Sequence, residues 1–179
     1  MSPEDEKRAI AELQAKLERS ENFGDVFDVV KKSVKQQLGT ERAGLMLVLA
    51  DLPMHLGAFH GVGTNQIVMN RNLLDQITAA GHPRGHVNSF VYSILLHEYL
   101  HSLGVTDEEK VRSLVYEISM KTFGADHPTT TISSKGPWSL LPIRSRFILR
   151  RHSDKSVFNN LRSPEIVTDF DRSDRNYIS

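Results

Sequence analysis

Two histidines, His97 and His101, stand four residues apart in the stretch LLHEYLHSLGVTD (residues 95–107), and Glu98 directly follows the first. On a helix, positions i and i+4 share one face about 6 Å apart, so both imidazoles can chelate one ion, and the geometry fits zinc. Glu98 then points roughly a quarter turn away, where it can reach a water activated by the ion without being a ligand itself. That is the place of a general base beside a Lewis acid. The competing reading is two histidines packed in an ordinary core. The surroundings weigh against it: Phe90, Val91, Ile94, Leu95, Leu96, Leu100 and Leu103 leave the segment apolar nearly all round, the pattern of a buried central helix. Two imidazoles and a carboxylate left there without partners cost about a few kcal/mol, and one divalent cation satisfies all three.

HEYLH resembles the zincin signature, and HEYLHSLGVTD is similar to the extended His-Glu-x-x-His-x-x-Gly-x-x-His/Asp form of metzincin-like peptidases. The order of helices, a buried strand and an edge strand ahead of the motif helix also resembles zincins, with GTNQIVMNRNLL similar to their edge-strand segment. The resemblance covers roughly residues 40–123. It implies His97 and His101 as ligands, Glu98 as base, Gly104 as the turn that ends the helix and Asp107 as third ligand. One departure stands out: a helix follows Asp107 directly where metzincins place a methionine-containing turn after a loop, and Met120 lies within that helix. A second resemblance is to the bacterial ribosomal-RNA maturation zinc hydrolases. Their motif His-Gly-x-x-His-Leu-x-Gly-Tyr-Asp-His sets the third ligand six residues past the second, as Asp107 is set past His101. That family has glycine where this chain has Glu98, which favours peptidase-type water activation.

Three acids compete for the third position: Asp107, Glu108 and Glu117. "EISMKTFG" resembles the glutamate helix of gluzincins and nominates Glu117. At 1.5 Å per residue, however, Glu117 lies ~15 Å into its helix, while the metal sits ~7 Å back from Gly104 along the first. Asp107 and Glu108 both point into the apolar face. Asp107 is preferred, against the ordinary alternative of an N-terminal charge favoured by the helix dipole. His55, His60, His82 and His86 fall in glycine- and proline-rich loops where solvated histidines are the norm, and His127 is a loop histidine by default. Tyr116 is a packing or exposed tyrosine before it is an oxyanion donor.

The elements that must hold these residues are legible from periodicity. Ser2 and Pro3 open a first amphipathic helix with Ile10, Leu13 and Leu17 as its stripe. Val26, Phe27, Val30, Val34 and Leu38 mark a second helix, stopped by Gly39. AGLMLVLADL (43–52) reads as a strand covered on both faces, the central one. NQIVMN (65–70) is a short strand candidate leading into the helix RNLLDQITAAG. The motif helix is expected from about Asn88 to Gly104, and the next from a Thr106/Glu109 capping box to about Phe123. Residues 129–136, TTTISSKG, read as polar and turn-forming.

The expected architecture is α/β (α+β): a compact zincin-like fold, with a small mixed sheet packed on the buried HExxH helix and flanked by helices. A catalytic domain over 1–128 is followed by a C-terminal extension, 129–179. Its apolar residues and the strand-forming SRFILRR suit docking on a sheet edge. The chain of 179 residues has a formal net charge of zero, so no global charge draws it to nucleic acid or membrane. A local basic run over 144–162, with six Lys or Arg against one Asp, keeps nucleic acid open as a partner. With no cysteine, no secretory leader and no membrane-length apolar run, the expected location is cytoplasmic.

The function these residues point to is a zinc (Zn2+) metallopeptidase. The ion is held by His97, His101 and Asp107, Glu98 is the base, and a peptide or protein substrate lies extended beside residues 65–69. The alternatives are an RNA-processing zinc hydrolase and a metal-stabilised binding protein without turnover.

Overall fold

The computed structural model describes residues 2–142 and 161–172. Helix α1 (Pro3–Arg19) starts where expected, with Ser2 and Asp5 in a reciprocal capping box and Pro3 at its first position. Helix α2 (Phe23–Leu38) ends on Gly39, whose φ of 68° takes the left-handed turn that closes a helix at little steric cost. Strand β1 (Met46–Ala50) is followed by β2 (Ala58–His60) and β3 (Gln66–Asn70), and β3 runs directly into α3 (Arg71–Ala79). Next come α4 (Arg84–Ser102), α5 (Glu108–Phe123), α6 (Pro128–Lys135), a single 3-10 turn at Pro137–Leu140 and β4 (Glu165–Val167).

The fold is α+β, with helices packed on a four-stranded mixed sheet in the order β2-β3-β1-β4. β1 and β3 are parallel, and the two outer strands are antiparallel to their neighbours. β1 is inner, as expected, but burial alternates along it: Leu47 and Leu49 are buried while Met46 on the opposite face is exposed, so the expected cover on both faces is not found. β3 is inner as well. The expectation of a free edge along residues 65–69 is therefore corrected: β2, unmarked by any periodicity in its three residues, pairs along β3 and takes the outer position.

Helix α4 is the centre of the core, with twelve of its nineteen residues buried. It begins at Arg84, not near Asn88. The Asn88 amide instead donates to the carbonyls of Leu17 (2.8 Å) and Ser20 (3.0 Å), closing the end of α1 from outside. Pro83 holds the N-cap position without a side-chain bond, and its carbonyl accepts from the His86 and Val87 N–H groups. The cap of α5 also differs from expectation: Asp107, not Thr106, takes that position.

The segment 129–136 is helical up to Lys135, with Gly136 as the cap. Pro128 opens α6 at its first position, the His127 ring accepts from the Thr129 N–H, and Thr129, Thr130 and Ile132 are buried. Contact with α4 and α5 outweighs the weak helix propensity of a Thr run. The far C-terminal part also joins this core. β4 pairs with β1, and Phe170 stacks on Phe27 at 4.2 Å between ring centroids. Asp171 meets Lys31 at 2.6 Å. A methyl group at Gly24 would lie 2.4 Å from the Asp169 carbonyl oxygen, so the approach of this segment to α2 requires glycine there. Asp51, its side chain only 5% exposed, accepts from Arg71 and Arg162 and ties β1 to the start of the same segment. Residues on both sides of the expected boundary at 128 thus share one core. SRFILRR and the rest of the basic run before Leu161 lie outside the described residues.

Candidate metal centre

Helix α4 carries His97 and His101 on one face near its C-terminal end, and the turn that closes the helix orients them. Gly104, at φ 96°, turns the chain so that the Val105 N–H bonds back to the Leu100 carbonyl (3.2 Å) and the Gly104 N–H to that of His101 (3.0 Å). This double closure is a Schellman turn. It aims the Val105 carbonyl at the His101 ring, which donates to it from Nδ1 at 2.7 Å. With Nδ1 donating to this carbonyl, Nε2 is the ring nitrogen left to face an ion. Arg42 braces the same helix end: its guanidinium donates to the Ser102 carbonyl at 2.7 Å and to Asn65 Oδ1 at 2.7 Å, while its backbone N–H bonds the Tyr99 hydroxyl.

Three side chains converge. His97 Nε2 and His101 Nε2 are 3.2 Å apart, and Glu108, the first residue of α5, sets one oxygen 2.9 Å from His101 Nε2 and the other 3.3 Å from His97 Nε2. Ligand atoms about 2.0–2.1 Å from a tetrahedral zinc lie about 3.3 Å from one another, so the observed spacing fits a single ion of that size. The donor set, two imidazole nitrogens and one carboxylate, is a chemically suitable one for zinc with one position left for water. Burial is the main influence holding the His97 pKa below the ordinary imidazole value. The Glu108 carboxylate opposes this, and the charges of His101 and Arg112 add to it. This direction favours the neutral ring that a metal requires.

Glu98 lies between β2 and this centre, close enough to feel both His60 and the charges of His101 and Glu108, with only 6% of its surface exposed. Burial raises its pKa to about 7. The positive charge of His101 and a hydrogen bond from the His60 backbone N–H oppose that rise, and the negative charge of Glu108 adds to it. A carboxyl group poised near neutrality can both take and return a proton.

Of the residues singled out from the sequence, His97, His101 and Glu108 come together. Asp107 does not join them. Its Oδ1 accepts the Lys110 N–H at 2.7 Å as the N-cap of α5, which directs the carboxylate into its own helix. Glu117 pairs with Lys121 at 2.6 Å on exposed surface. Of the histidines expected in loops, His60 ends β2 and bonds the Gln66 carbonyl, and His86 lies in the first turn of α4; His82 bonds the Leu140 carbonyl, and His127 caps α6, stacked on Phe123. Tyr116 is exposed on α5. Arg42 and Val105 were not apparent as positioning groups, since neither has a spacing signal. The signal that favours Glu108 is the strength of Asp as an N-cap, which removes Asp107 from contention.

No family model matches the chain, and no curated protein or solved structure matches it either. No helix among the described residues is long and apolar enough to cross a membrane.

Proposed function

We propose that the protein is a zinc-dependent hydrolase that cleaves peptide bonds, with His97, His101 and Glu108 holding the ion and Glu98 as general base. The observation that carries this reading is the convergence of His97, His101 and Glu108, one ligand atom from each lying within 4.8 Å of the others, beside a buried Glu98 carboxyl group with a pKa near 7. When bound, zinc supplies a Lewis acid that lowers the pKa of water and polarises a carbonyl. Glu98 accepts the proton of the attacking water and delivers it to the departing amine. The Val105 carbonyl keeps the His101 tautomer fixed throughout. The extended substrate runs along β2, the outer strand beside Glu98, where Phe59 presents an exposed ring. A cytoplasmic location accompanies this reading, in keeping with a cysteine-free chain.

The test is metal analysis of purified protein followed by cleavage assays on a peptide library, with Glu98→Gln as the dividing variant. The expected result is about one zinc per chain in both proteins and hydrolysis in the wild type alone, because the amide keeps the shape of the side chain and cannot accept a proton. Equal hydrolysis by Glu98→Gln refutes the base assignment. Cleavage of structured RNA with no cleavage of any peptide transfers the substrate class to nucleic acid.

A further inference from the structure

Arg112 follows Glu108 by one turn of α5, so the two side chains share a face of that helix about 6 Å apart along its axis. Since Glu108 is the residue α5 sends to His97 and His101, that face is a wall of the metal centre. Arg112 is exposed and, among the described residues, has no hydrogen bond or ion pair. Of the nearby acids, Glu108 is engaged with the histidines, Asp107 with the Lys110 N–H and Glu117 with Lys121, while Glu109, three residues before Arg112, forms no ion pair with it among the described residues. Arg112 is close enough for its charge to act on His97.

The ordinary account of an exposed arginine on a helix is a solvated charge. At this position it has a further consequence. An unpaired guanidinium beside a cation site repels the ion, and an anionic group that reaches both relieves the repulsion while gaining charge-assisted hydrogen bonds. Guanidinium matches a carboxylate in bidentate geometry, which makes it a selective receptor and not merely a point charge. Resting on the zinc peptidase reading above, we infer that the centre takes substrates bearing a carboxylate about one helical turn from the attacked bond, with Arg112 as the residue that selects it. In a peptide that carboxylate is either a free C-terminus or an acidic side chain just beyond the cleaved bond. The wall continues with exposed Tyr116, one turn further along α5.

The experiment uses the zinc-loaded full chain and measures binding by calorimetry, apart from any turnover. Glutarate and pentanoate share one carboxylate for the metal, and glutarate alone carries a second at the far end. Glutarate is expected to bind about fivefold more tightly than pentanoate to the wild type, the upper end of an exposed ion pair. The preference should fall below about twofold in Arg112→Ala and partly persist in Arg112→Lys. A wild type without preference, or an Arg112→Ala that keeps it, overturns the inference and leaves the metal reading standing. A chain that binds no zinc overturns both. The source of the carboxylate is read by displacing glutarate with tetra-alanine, its C-terminal amide, and the amide with one alanine replaced by glutamate. Displacement by the free acid alone assigns a C-terminus, and displacement by the glutamate peptide assigns a side chain. Displacement by none of them overturns carboxylate recognition in peptides.

Discussion

Asp107 and Glu108 are adjacent acids with opposite duties, and exchanging them experimentally separates a cap from a ligand. Asp107→Ala removes the 2.7 Å bond to the Lys110 N–H, which costs about 1 kcal/mol of stability, whereas Asp107→Ser keeps a capping oxygen and costs only a few tenths. Neither change touches the group at the histidines. Glu108→Ala removes a side chain that is 59% exposed, so the metal-free protein should lose no more than about 0.5 kcal/mol, mostly first-turn charge. Its effect appears only with the ion. Loss of a group behind a ligand typically weakens metal binding 10–100-fold, so loss of a ligand itself is set here at about 100-fold or more. With zinc at a hundred times the wild-type Kd, binding stabilises the wild type by about 2.7 kcal/mol, and a site weakened 100-fold retains about 0.4 kcal/mol. Urea unfolding in chelator and in buffered zinc reads both quantities. The expected pattern is a full zinc-induced shift in Asp107→Ala and Asp107→Ser, with an almost absent shift in Glu108→Ala. A Glu108→Ala protein that keeps the shift, beside an Asp107→Ser protein that loses it, refutes the assignment drawn from the geometry.

Two further outcomes test the scaffold. Asp51 is held well below the usual carboxylate range, first by hydrogen bonds from Arg162, with burial opposing, so its contribution is complete above the unfolded value near 3.9 and is lost as pH falls through the lower folded value. Asp51→Asn should cost about 3 kcal/mol at pH 7 and flatten the acid limb of stability below about pH 4, followed by circular dichroism; an unchanged acid limb counts against the pair. Gly24→Ala would place its methyl 2.4 Å from the Asp169 carbonyl and should destabilise by about 1–3 kcal/mol in urea, whereas an ordinary helical Gly→Ala stabilises by up to about 1 kcal/mol.

Local chemistry decides the part of this structure that could be read from the sequence. The His97/His101 spacing, the apolar surround of α4, the Ser2 N-cap with Pro3 after it and the Gly39 stop each depend on residues within a turn or two of one another, and each appears in the structure. The entry of α4 at Arg84 and the helical state of TTTISSKG are set by tertiary contact. Asn88 is drawn to the end of α1, and α6 is held against α4 and α5. β2 is three residues long, too short to show a period, and its pairing alone moves β3 from the edge to the interior. The third metal ligand lies between these cases. Asp107 and Glu108 have the same charge and are one residue apart, so neither composition nor periodicity separates them. The choice rests on which residue ends the turn after Gly104 as the cap of α5. With Thr106 as the cap, Asp107 would be the first helical residue and face the histidines. With Asp107 as the cap, its carboxylate turns onto the Lys110 N–H and the next side chain, Glu108, meets them instead. A one-residue shift in a helix start thus exchanges the candidate ligand, which makes capping chemistry the decisive step in reading this site.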